Sequence, residues 1–200
     1  MKRYLFILVT IMLLCTPVSV ASPSKVSEYK AKALFLGALL KYTKFPDSEK
    51  YSIAVIGKNP FNGHLKKLES RKINRKKVSV TFFNTAPKKI DGYHIVFIAK
   101  SEKVKQAKIL KTVSSDTLTV ADNRWFLASG GVVNLSLKKK GIRWEVNYEA
   151  LKDKKYQISS KVLRIALNAK DKNSFIINKL SPSESKLGNS KNANRATLQL

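Results

Sequence analysis

Apolar residues recur at spacings of three and four along residues 26–43, where Tyr29, Ala33, Leu36, Leu40 and Thr43 fall on one side. That period predicts a helix with a broad apolar face, and the Phe45-Pro46 pair marks its end. A different rhythm comes next. Residues 51–56 form a short apolar, partly β-branched run, and residues 77–83 set Val78, Val80 and Phe82 between lysine, serine and threonine. Both read as strands. Residues 93–99 are nearly continuous in apolar character, and residues 117–121 are again strand-like. Between these runs the pattern predicts helices at 60–68 and at 101–113, the second with Val104, Ala107, Ile109, Leu110 and Val113 as its stripe.

Strands that are apolar throughout, alternating with amphipathic helices, are the signature of a parallel sheet covered on both faces. After residue 130 the period becomes two: residues 131–137 and 142–147 alternate around a turn of three lysines and Gly141, which predicts an antiparallel hairpin. A helix at 156–169, carrying Ile158, Val162, Ile165 and Ala166, closes the domain. The expected fold is therefore an α/β three-layer αβα sandwich, its mostly parallel sheet extended by a C-terminal antiparallel hairpin. From Asp171 to the end the composition turns to serine, asparagine and lysine without a period, so residues 22–170 are expected to form the domain and 171–200 a disordered tail.

The first 21 residues change the compartment. A charged start, an apolar run too short to span a bilayer, and small residues at Ser19-Val20-Ala21 predict a signal peptide cleaved after Ala21. The only cysteine, Cys15, leaves with it, so the exported chain holds no disulfide and relies on its core. Of the formal net charge of +26, about +21 falls on residues 22–170. Such a surface is drawn to anionic headgroups, cell-wall polymers or an acidic protein face, with salt-dependent affinity; nucleic acid is set aside because an exported protein rarely meets it. A plainly solvated basic face is the competing reading.

The chemistry-bearing residues are sparse. His64 and His94 lie in different elements without a third ligand, so no metal is expected, and His94, inside an apolar strand, reads as a satisfied core imidazole. No nucleophile stands on a G-x-S-x-G turn. The stretch IAVIGKNPFNGHL (53–65) begins like a phosphate loop, yet Gly63 is followed by His64-Leu65 where Lys and Ser/Thr are required. Asn59 and Pro60 read instead as a helix N-cap and first helical residue, with Lys58 adding charge. In an open α/β sheet ligands collect off the carboxyl ends of the strands. Those ends carry Lys58, Asn59 and Phe61; Lys100, Ser101 and Glu102; Asp122, Asn123 and Arg124. From them Lys58, Asn59, Phe61, Ser101, Glu102, Asp122 and Arg124 form the candidate site for a small anionic or aromatic ligand; the competing reading is that Ser101 and Asp122 only cap the segments after them.

Ordered motifs from Tyr29 to Ala169 resemble the YfiR-like periplasmic proteins: KYTKFP (41–46), IAVIGKNPF (53–61), HIVFI (94–98) with Ser101-Glu102, LTVAD (118–122), Gly130-Gly131, and GIRWEVN (141–147) leading to ISSKVL (158–163). Such relatives often carry a cysteine just before the strand histidine, where this chain has Tyr93. The resemblance implies a non-enzymatic periplasmic regulator without cofactor, which binds the periplasmic sensor part of an inner-membrane diguanylate cyclase and represses cyclic-di-GMP synthesis and biofilm formation. It supplies no residue-level site. A binding module for a small ligand is the alternative, and a homodimer is left open.

Overall fold

The computed structural model describes residues 25–138 and 141–166. The leader with its cleavage point, positions 139–140 of the lysine turn, the last part of the helix expected at 156–169, and the tail lie outside the described residues.

Helix α1 (Lys25–Tyr42) runs straight into a two-residue strand, β1 (Thr43–Lys44). The main sheet has seven strands: β2 (Lys50–Ile56), β3 (Lys72–Ile73), β4 (Lys76–Phe83), β5 (Ile95–Ile98), β6 (Leu118–Ala121), β7 (Val133–Lys138) and β8 (Gly141–Val146), in the order β3-β4-β2-β5-β6-β7-β8. β4, β2, β5, β6 and β7 are mutually parallel, and the two edges, β3 and β8, are antiparallel to their neighbours. Short helices α2 (Gln106–Leu110), α3 (Tyr148–Leu151) and α4 (Ser160–Leu163) complete the chain, with β9 (Gln157–Ile158) pairing back onto β1.

The sheet is covered on both faces, as a sheet of continuously apolar parallel strands must be. Along β2, Ile53 and Val55 point to the α1 side, where Tyr29, Ala33, Leu36, Leu39 and Leu40 bury the helix stripe. Ala54 and Ile56 point the other way, toward Ile90, Ile109 and Phe126. β5 alternates in the same sense, Ile95 and Phe97 against Val96 and Ile98. The result is a three-layer α/β arrangement with a mostly parallel sheet and a hairpin, β7-β8, at its C-terminal edge.

Three expected helices are shorter than their pattern. Residues 60–68 contain only a 3₁₀ turn at Lys66–Leu68. Asn62 and Gly63 both have positive φ (44° and 77°), which breaks a helix, while Phe61, Leu65 and Leu68 still reach the core. In the 101–113 segment only α2 is α-helical; Val104 is 92% exposed, and Gln106 is buried in place of Ala107. The closing segment spends Gln157 and Ile158 on the pairing with β1, so α4 begins only at Ser160. A short hairpin leads into β4: Ile73 pairs with Lys76 across Asn74 and Arg75, both at positive φ.

Candidate functional site

Chain order and strand order part company between β2 and β5, because β4 lies on one side of β2 and β5 on the other. This is the position at which an open α/β sheet leaves a crevice. Here the crevice is mostly filled. Gly57 adopts φ +94°, and a Cβ on it would come within 2.7 Å of Glu102 Cγ and closer still to Ser101 Oγ, so only glycine lets the β5 turn lie against the β2 turn. Ser101 Oγ accepts from the Lys58 amide (2.9 Å), and Asn59 Oδ1 accepts from the Phe61 amide (2.9 Å). Asn59 thus closes a local turn and caps no helix, which removes the helix dipole from any account of anion binding there. Phe61 is fully buried, stacked edge-on against Tyr29 and Phe97, and belongs to the core beneath the site. Glu102 is half-buried behind Gly57 and reaches toward Lys105. A shallow pocket of about 460 Å³ remains, walled by Lys58, Asn59 and Ser101 with Glu28 and Lys100.

The larger space lies further along the sheet. β6 ends at Ala121, opposite Asn134, whereas β7 continues to Lys138. The overhang of β7 walls a cleft of about 810 Å³ off the carboxyl end of β6, and Glu28 and Lys100 border this cleft as well as the pocket at the crevice. Asp122 and Arg124, the remaining candidates, line it together with Asn123, Asn134 and Lys138.

At its base sits a charged group that the linear pattern conceals. Lys32 belongs to the apolar stripe of α1 and is 1% exposed. Its ammonium reaches Asp122 Oδ2 at 2.5 Å and also bonds the Glu28 carboxylate one turn earlier. Tyr29 donates to the same Asp122 oxygen at 2.7 Å, and Lys100 approaches it at 3.8 Å from the open side. Burial, and then the hydrogen bond to the Asp122 carboxylate, push the Tyr29 hydroxyl well above the usual tyrosine range, so it acts as a fixed donor. Asp122 Oδ2 is therefore crowded with donors. Its other oxygen, Oδ1, has no partner among the described residues, and neither do Asn123 Oδ1, Asn123 Nδ2 or Asn134 Oδ1. Four buried polar atoms without partners at one cleft are unusual, because buried polar atoms are nearly always hydrogen-bonded. Asp122 does more than cap: it ties α1 to β6, and its second oxygen is buried without a partner among the described residues, in the wall beneath the cleft.

His94 lies at the opposite, amino-terminal end of the sheet. The Ser52 amide donates to Nδ1 (3.1 Å), while the Ser52 hydroxyl lies 2.7 Å from the Gly92 carbonyl. Nδ1 is thereby the acceptor and Nε2 carries the proton, donating to Ser48 Oγ at 2.9 Å. A serine activated for nucleophilic attack needs the reverse, a free Nε2 lone pair aimed at its hydroxyl. Burial, and secondarily the Lys76 charge, lower the affinity of His94 for a second proton.

A pattern describing YfiR/HmsC-like proteins matches residues 29–167, which takes in nearly all of the described residues. The chain belongs to the YfiR/HmsC-like family. A search of curated proteins finds no match. YfiR/HmsC-like proteins are periplasmic regulators that act on membrane signalling proteins and are regulatory in character. None of the described helices is long and apolar enough to cross a membrane, and no group of three His, Cys, Asp or Glu among the described residues is placed to hold a metal ion.

Proposed function

We propose that this YfiR/HmsC-like domain binds and represses the periplasmic sensor region of an inner-membrane signalling protein, a diguanylate cyclase, and thereby restrains cyclic-di-GMP synthesis and biofilm formation. The observation that carries this reading is the family match over residues 29–167, which spans both faces of the sheet rather than a fragment of it. The chemistry fits a binder. The buried ionisable groups described are spent on structure, in the Lys32-Asp122-Tyr29 cluster and the His94 network; of the two serine hydroxyls at His94, that of Ser48 faces the protonated nitrogen and that of Ser52 donates to the Gly92 carbonyl, so neither is set up for attack. The strongly positive charge of the domain, about +21 on residues 22–170, suits an acidic face on the partner and the anionic headgroups beside it. Export by the N-terminal leader places the domain on the periplasmic side. Deleting the gene should raise cellular cyclic-di-GMP, and re-expressing the exported domain should bring it down; an unchanged level in the deletion strain would sink the proposal.

A second reading, a receptor for a small ligand, draws on the cleft off β6 with its unpartnered Asp122, Asn123 and Asn134 atoms. The two readings meet if ligand and partner favour different states of the domain, since the ligand would then set how much repressor is available.

A further inference from the structure

We infer that the cleft off the end of β6 takes a small polyhydroxylated carboxylate, a ligand of the sugar-acid class. The inference rests on reading this cleft as a ligand site, and its chemistry comes from which atoms lack partners. Three of the four are oxygen acceptors, Asp122 Oδ1, Asn123 Oδ1 and Asn134 Oδ1, on side chains of residues more than nine-tenths buried. They call for hydrogen-bond donors. A metal cation would meet the ammonium groups of Lys32 and Lys100, 2.5 and 3.8 Å from Asp122 Oδ2, and a ligand ammonium would meet the same repulsion. Neutral hydroxyls satisfy the oxygens without that conflict, and the fourth atom, Asn123 Nδ2, supplies a donor to a ring or hydroxyl oxygen.

The rim supplies the other half. Arg124 and Lys138 line the cleft, are exposed, and have no carboxylate within ion-pairing distance among the described residues. The Arg124 guanidinium is steadied over the Trp125 ring, 5.3 Å from its centre, which orders a fork suited to a carboxylate. Glu28 and Glu145 also border the cleft. Acidic acceptors in the same wall suit hydroxyls and work against a polyphosphate or other densely charged anion. The volume, about 810 Å³, accommodates one or two sugar rings.

Isothermal titration of the purified protein with D-glucuronate and D-gluconate, with D-glucose and acetate as comparators, tests the assignment. A sugar acid should bind saturably and at least about tenfold more tightly than either comparator, a gap of one charge-assisted hydrogen bond. Arg124→Gln should weaken the sugar acid about tenfold and leave any glucose binding unchanged, whereas Asn134→Val should weaken both. Arg124 is on the surface, so its variant keeps the test decisive even if Asn134→Val folds poorly. Absence of saturable sugar-acid binding, acetate binding as tightly as glucuronate, or affinities indifferent to Arg124→Gln would overturn the inference. A thermal-shift hit from another chemical class, abolished by Asn134→Val, would overturn the sugar-acid assignment while leaving the cleft a ligand site; no hit from any class would remove both. Neither result bears on binding to a membrane partner, which is measured without these compounds.

Discussion

Protonating His94 would set a ring N–H against the Ser52 amide, because Nδ1 already accepts from it at 3.1 Å. The ring is also held edge-on between Phe45 and Tyr51, which limits its escape to water. Its folded-state pKa is lowered by burial first and by Lys76 second, whereas in the unfolded chain it returns to about 6.5. The unfolded chain therefore takes up the proton first as the medium is acidified. The stability that His94 contributes is complete above about pH 6.5 and is lost as pH falls through the folded value. Urea unfolding at pH 8 and pH 5 should show a larger drop in midpoint for the native protein than for His94→Gln. Equal drops would mean that the imidazole is free to accept its proton in the fold. The sequence had already marked His94 as a satisfied imidazole in a strand; what it could not supply was the pair of serines, since Ser48 and Ser52 precede it by more than forty residues.

At the scale of elements, α1 is held to the sheet by its apolar stripe and by one buried ionic contact. The stripe was legible because a period of 3.6 is local: Tyr29, Ala33, Leu36, Leu40 and Thr43 all proved buried. Lys32 sits three residues after Tyr29 and four after Glu28, so its place on the buried face was also readable, but its partner Asp122 lies ninety positions away and no local pattern joins them. The same limit explains Gln157 and Ile158, which left a helical pattern to pair with Thr43 and Lys44 across the molecule. By contrast, the helix expected at 60–68 carried a readable objection in Asn62-Gly63, a turn-forming pair that outweighed the helical spacing of Phe61, Leu65 and Leu68. Of the candidate residues, Asp122 and Arg124 came to the main cleft, Lys58, Asn59 and Ser101 to the smaller pocket, Phe61 to the core, and Glu102 behind Gly57. Asn134 was missed because its polar side chain sits within a strand pattern whose wall function depends on β7 outrunning β6.

The ionic contact makes an asymmetric prediction. Asp122→Ala leaves the Lys32 ammonium under α1 with Glu28 as its one remaining counter-charge among the described residues and should cost about 3 kcal/mol, the low end of the penalty for breaking a buried pair. Replacing both fully buried charges, Lys32→Met with Asp122→Asn, leaves only the part-exposed Glu28 carboxylate without its partner and should recover much of that loss. Chemical denaturation of both variants checks it. If the double variant were as unstable as the single, the cluster would be held by packing rather than by charge pairing.

For the whole molecule, the central question is what the basic domain binds. A strongly positive protein associates with many anionic surfaces at low ionic strength, so attraction alone carries no specificity. A true partner must survive the screening that releases headgroups and polymers, since specific complexes keep the contacts made by their buried, apolar centre. The most direct measurement is capture of the tagged, exported protein from detergent-solubilised membranes, washed at physiological ionic strength and above, with the retained proteins identified by mass spectrometry. If the domain represses a cyclase, one inner-membrane protein, with a periplasmic sensor region and a cytoplasmic diguanylate cyclase domain, should stay bound through the salt wash in near-stoichiometric amount. Elution of all membrane proteins together as salt rises, with no cyclase retained, would contradict it.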